Sequence, residues 1–199
     1  MQQTNFYEAL DAEELFKLGL NASNAGDAAG ALNLLKLAVE RDKAHARAAW
    51  LLGAEYAQIG MMDRAQVALT RAVELEPGLV GARFQLGLLR LTQGDVEAAR
   101  GVWQALDAES ENSPYRLFRD GMLLMVVDAF EPALDALRRC AALPQIDAAL
   151  KRDVDMVIGQ IETRQISSDA TTAAQPQPVS EEDSASLLFL SAYRNNTST

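Results

Sequence analysis

Few side chains in this sequence are of the types that make or break bonds. His45 is the single histidine, and it falls in a turn between predicted helices with no serine or cysteine motif around it. That favours a surface role over a general base. Cys140 is the single cysteine, so no internal disulfide can form, and it repeats the small-residue position of Ala38 and Ala72, where a buried core thiol is expected. The paired acids Glu13–Glu14 and Asp153 with Asp155 are expected on solvated helix faces. Metal ligation lacks His and Cys clusters, and there is no Gly-rich phosphate loop. The expectation is a protein that is not an enzyme, with no metal and no cofactor. What does stand out suits non-covalent recognition: Phe16, Trp50, Phe84 and Phe118 recur at one constant interval. Leu20, Ala54, Leu88 and Met122 follow four positions on, then Ser23, Ala57, Leu91 and Met125 three later. On a helix these positions share one face.

The elements that would carry that face are set by the same interval. Gly19, Gly53, Gly87 and Gly121 are spaced by it, as are Ala31, Ala65, Ala99 and Ala133. Small side chains at both positions let two antiparallel helices approach closely. Gly26, Gly60 and Gly94, with Asp128 as fourth member, fall where the first helix of each unit must end, and a left-handed conformation there costs glycine little. Pro114 and Pro132 stand at expected helix starts, and Pro77 and Pro144 just past helix ends. A period of about 34 residues means stacked helix pairs.

The second unit, with Ala49, Leu52-Gly53, Tyr56, Ala65, Leu69, Ala72 and Pro77, resembles the tetratricopeptide repeat. The resemblance covers about three quarters of the chain. It implies an all-α, right-handed superhelical solenoid of four helix-turn-helix repeats, at residues 12–45, 46–79, 80–113 and 114–147, after a lead-in at 1–11. A capping helix at 148–166 carries an apolar stripe of Leu150, Val154, Val157, Ile158 and Ile161, with Lys151, Arg152, Asp153, Asp155 and Glu162 opposite. Several residues depart from the pattern: Arg83 and Arg90 stand where bulky apolar side chains are usual, their stems expected to snorkel, Asp120 replaces Leu before Gly121, and Lys43, Glu111 and Gln145 replace the proline seen at Pro77.

The resemblance also implies that the first helix of each repeat lines a concave surface. Phe16, Leu20, Trp50, Phe84, Leu88, Leu91, Phe118, Met122 and Met125 are expected to form an apolar peptide-binding groove that deepens toward the C-terminal repeats. The alternative is that the aromatics fill contacts between adjacent repeats. A carboxylate clamp for acidic C-termini is unlikely in this register, because the matching positions hold Phe16, Leu20, Leu51, Gly81 and Gln85. In its apolar lining the groove is similar to those of the tetratricopeptide chaperones of type III secretion.

A formal net charge of -10 argues against nucleic acid and anionic membrane surfaces as partners. The first ten residues have neither a basic start nor an apolar core, and the longest apolar run, 122–127, is far short of the roughly 20 residues that cross a bilayer. No membrane insertion and a cytoplasmic location are expected.

Phe6, Tyr7 and Leu10 precede the first repeat, either as a turn covering the end of the array or as an aromatic dimerisation patch. Residues 167–186 are rich in Ser, Thr, Ala, Gln, Pro and acids, the composition of a disordered linker. Within the last segment, 187–199, Leu187, Leu188, Phe189, Leu190 and Tyr193 form an apolar docking element, which either covers the groove in cis or binds a separate receptor. The expected function is a protein-binding adaptor or chaperone for a partner with apolar anchors. The alternative is a structural subunit of a larger assembly, such as a secretion or envelope apparatus, with its groove permanently filled. Self-association, and a helical or an extended ligand, stay open.

Overall fold

The computed structural model describes the backbone of residues 7–172 and the side chains of residues 7–163. Among them every regular element is helical, as expected: α1 (Ala12–Asn24), α2 (Ala28–Arg41), α3 (Ala46–Gln58), α4 (Met62–Leu75), α5 (Val80–Thr92), α6 (Val96–Trp103) running into a 3-10 segment (Gln104–Ala108), α7 (Pro114–Val126), α8 (Phe130–Ala141) and α9 (Ala148–Thr172). The chain forms two compact units, divided within α5 between Arg90 and Leu91.

In the first unit α1 packs on α2, α2 on α3, and α3 on α4. Gly19 and Gly53 make the pairing close: a Cβ on Gly19 would lie 2.8 Å from Leu35 Cγ, and one on Gly53 2.7 Å from Leu69 Cγ. Ala31 and Ala65 are fully buried on the facing helices. Each first helix ends at a C-cap, Ala25 or Ile59, followed by a left-handed glycine, Gly26 or Gly60, both with φ 76°. Side-chain caps set the starts of α1 and α2. Asp11 and Glu14 form a reciprocal capping box on α1, and Asp27 accepts from the Gly30 N–H at the head of α2. The lead-in is tied down by Arg41, whose guanidinium donates to the carbonyls of Tyr7 (3.5 Å) and Glu8 (3.2 Å). Phe6 lies outside the described residues. Arg83 snorkels as expected, donating to the Pro77 carbonyl at 3.0 Å.

In the second unit α7 packs on α8 and α8 on α9. Gly121 repeats the close approach, since a Cβ on it would lie 2.7 Å from Leu137 Cγ, and Ala133 is fully buried. Gly94 turns left-handed at φ 84°, and Asp128 does so at φ 56° without the freedom of a glycine. Three details differ from expectation. Pro132 is the third residue of α8 rather than its first, still within the turn whose amides have no intrahelical partner. Helix α9 continues to Thr172, into the stretch expected as linker, because 167–172 holds no proline or glycine. Asp153, expected on a solvated face, is half-buried.

The 3-10 segment after α6 has a visible cause. Arg116 donates to the carbonyls of Asp107 (3.3 Å) and Glu109 (2.8 Å), and Arg119 to the carbonyl of Trp103 (3.3 Å) and the carboxylate of Asp107 (2.6 Å). Arg119 is itself buried and pairs with Asp120, so the departure of Asp120 from the repeat pattern supplies a partner for a buried guanidinium.

Candidate peptide-binding face

Of the nine groove residues expected from the sequence, six are core. Phe16 is 4% exposed and Phe84 2%, while Leu91, Phe118, Met122 and Met125 are fully buried. A side chain with no accessible surface cannot meet a ligand, so a groove deepening toward Phe118, Met122 and Met125 is not what these residues build. The reason is clearest at Phe16. The His45 ring lies against it with centroids 5.1 Å apart, and the Arg47 guanidinium stands 4.9 Å from its centroid. Both covering groups come from the start of α3, so this aromatic fills a contact between consecutive repeats, the alternative weighed above.

Leu20, Trp50 and Leu88 stay half-exposed, all within the first unit. Leu51, Ala54, Ala57 and Gln85 join them at the same level of exposure. Trp50 packs by one side on the buried alanines Ala49, Ala72 and Ala82. Its indole N–H donates to Gln85 Oε1 at 2.8 Å, which fixes the ring and leaves the Gln85 amide nitrogen as a donor. Beside this strip Ser23 on α1 donates its hydroxyl to the Glu55 carboxylate on α3 at 2.5 Å, and Glu55 is buried. Two polar cross-links thus hold three consecutive first helices around a partly open apolar surface. Leu51 and Gln85 directly follow Trp50 and Phe84, at positions read in the sequence only as unable to form a carboxylate clamp.

The helix starts also form a recess of about 570 Å³, whose walls include Asp11, Glu13, Asp42, His45, Arg47 and Glu76. His45 is not the surface residue expected: its side chain is 11% exposed. It is the N-cap of α3, with Nδ1 accepting from the Ala48 N–H at 3.2 Å and Nε2 lying 3.2 Å from Glu13 Oε2. Sequence reading missed this because histidine is not a usual cap.

Elsewhere, Cys140 is fully buried, its thiol donates to the Pro114 carbonyl, and burial pushes its pKa up to about 11, which leaves it a poor nucleophile. Among the described residues no three His, Cys, Asp or Glu side chains gather as a metal site, and no helix is long and apolar enough to cross a membrane. Leu187, Leu188, Phe189, Leu190 and Tyr193 lie outside the described residues.

No curated protein matches the sequence. The tetratricopeptide repeat family profile matches residues 46–78. Among solved structures the chain is similar to a crystal structure of MamA, at 23% identity and TM-score 0.55 over 65% of this chain and 75% of that one. It is also similar to residues 41 to the end of MamA from Desulfovibrio magneticus RS-1, at 16% identity and TM-score 0.55 over 94% and 97%. At these identities the likeness is one of fold. The profile match makes residues 46–78 a tetratricopeptide repeat, and the constant repeat interval and the Gly–Leu contacts give the neighbouring helix pairs the same build.

Proposed function

We propose that this protein is a non-catalytic interaction module, an adaptor or chaperone, that takes an apolar segment of a protein partner along the first helices of its first unit. The anchoring surface is Leu20, Trp50, Leu51, Ala54 and Leu88. The observation that carries this reading is Trp50, half-exposed yet held in one orientation by Gln85. A large aromatic already ordered loses little rotamer freedom when a ligand covers it. Covering one such side chain contributes roughly 1.5 to 3 kcal/mol, and micromolar affinity needs about 8 kcal/mol net. Several anchors and backbone hydrogen bonds, for which the Gln85 amide nitrogen is placed, are therefore required. The apolar element at 187–193 is the first ligand to consider, as an internal competitor for an external client.

The test uses the full chain with Leu187, Phe189 and Leu190 each changed to Glu, which removes any ligand supplied by its own tail. A labelled peptide covering residues 180–199 is titrated into it, with and without Leu51→Glu, while circular dichroism checks that the helices persist. Saturable binding lost with Leu51→Glu supports both the face and the tail as its competitor. Saturable binding that Leu51→Glu leaves unchanged places the site elsewhere. Absence of binding removes the tail from this role and leaves the face to an external client.

A further inference from the structure

His45 is placed to do more than fill the contact between the first two repeats. Its Nδ1 accepts the Ala48 N–H, so the ring is neutral with its proton on Nε2, which faces Glu13 Oε2 at 3.2 Å. One ring thus serves two helices: it closes the first turn of α3 and reaches across to the first turn of α1. The two jobs respond oppositely to a proton. A second N–H at Nδ1 would point at the Ala48 N–H, donor against donor, at the positive end of the α3 dipole. The same proton would convert the contact with Glu13 into an ion pair.

We propose that His45 is a proton-operated catch at the start of α3: neutral, it caps the helix, and protonated, it lets Ala48 go and holds Glu13 on α1. The charged groups around it sit on every neighbouring element. Asp11 and Glu13 come from the start of α1, Asp42 from the turn after α2, Arg47 from α3 itself and Glu76 from the end of α4. Lys17 shares Glu13 at 3.4 Å. The carboxylates carry the sign opposite to a charged ring, and Arg47 and the helix terminus carry the same sign. The element that moves is the first turn of α3. Arg47 lies in that turn and stands over the Phe16 ring, so release of the cap loosens the cation from the aromatic and changes one wall of the recess.

The experiment is a titration of the full chain from pH 8 to pH 5, followed by nuclear magnetic resonance at the imidazole carbons and at the Ala48 amide. The expected result is that the Ala48 amide proton moves upfield, as a lost hydrogen bond requires, with the same midpoint as the imidazole. In His45→Asn, where an amide oxygen caps without titrating, the Ala48 signal stays fixed over the whole range. In Glu13→Gln the ring keeps its cap and loses its anionic partner on α1, and the Ala48 amide still moves together with the imidazole. An imidazole that protonates while Ala48 stays still overturns the proposal, as does one that remains neutral down to pH 5. Both of these outcomes are read on the unmodified protein, so the inference stands or falls even where a variant does not fold.

Discussion

Gly53 on α3 faces Leu69 on α4 so closely that a Cβ on the glycine would stand 2.7 Å from the leucine Cγ and 3.1 Å from its backbone nitrogen. The backbone atom cannot rotate out of the way, so the helices would have to part. Gly53→Ala is therefore expected to cost about 1–3 kcal/mol, outweighing the ~1 kcal/mol by which alanine is the better helix former. Gly101 in α6 is the control, since a Cβ there meets nothing within 4 Å. Gly101→Ala should gain about 0.5–1 kcal/mol. Urea unfolding followed by circular dichroism measures both. Equal stability of Gly53→Ala and wild type would mean that the two helices are not in this contact.

The turn after α7 repeats the turns after α1, α3 and α5 with the wrong residue. Asp128 is left-handed at φ 56°, where Gly26, Gly60 and Gly94 have φ 76°, 76° and 84°. Aspartate tolerates this conformation better than most residues, but not as freely as glycine. Asp128→Gly is expected to stabilise the second unit by about 0.5–1 kcal/mol, and Asp128→Val to destabilise it by about 1–2 kcal/mol. Thermal unfolding of the two variants should bracket the wild type, and any other order would count against this turn geometry.

Asp120 occupies a position where the repeat usually has leucine, and restoring that leucine should weaken the protein. The Arg119 side chain is 9% exposed and pairs with both Asp120 and Asp107. Asp120→Leu removes one anion from a buried cation but leaves the other, for an expected loss of about 1 kcal/mol. Arg119→Met strands two carboxylates that are exposed enough to be hydrated, and loses the bond to the Trp103 carbonyl, for about 1–2 kcal/mol. A double-mutant cycle over Arg119 and Asp120 should return a coupling of about 0.5 kcal/mol or more. No coupling would reduce the pair to a surface contact.

The helix pairs were legible in the sequence because their signals are local. A glycine recurring at a constant interval, an alanine on the facing helix and a left-handed turn residue between them each fix a contact or an end. The candidate face was legible only as a face. The spacing of Phe16, Phe84 and Phe118 says that they share a side of their helices, but not whether a neighbour covers it. At Phe16 the cover is His45 and Arg47, from the start of α3, whose roles depend on a capping geometry with no sequence signature. The 3-10 segment was hidden for the same reason. Gln104–Ala108 is compatible with a helix by itself, and its course follows the arginines of α7 that hold its carbonyls.

Asp153 gives the clearest prediction of pH dependence. Burial raises its pKa to about 6 from an ordinary value of 3.8; Arg152 acts in the opposite direction and Asp147 adds to the rise. A folded-state pKa above the unfolded value means that the folded chain binds the proton more tightly. The stabilisation from the protonated form is therefore complete below about pH 4 and is lost as the pH rises through 6. At neutral pH the half-buried carboxylate is ionised against its surroundings, a cost of order ~1–3 kcal/mol. Asp153→Asn removes the charge and keeps the shape. It should be more stable than the wild type at pH 7.5 by about that amount, with the advantage shrinking toward zero by pH 4. Unfolding by urea at pH 4, 5.5 and 7.5 measures the difference, and an advantage for Asn that is constant with pH would show that Asp153 does not titrate in this range.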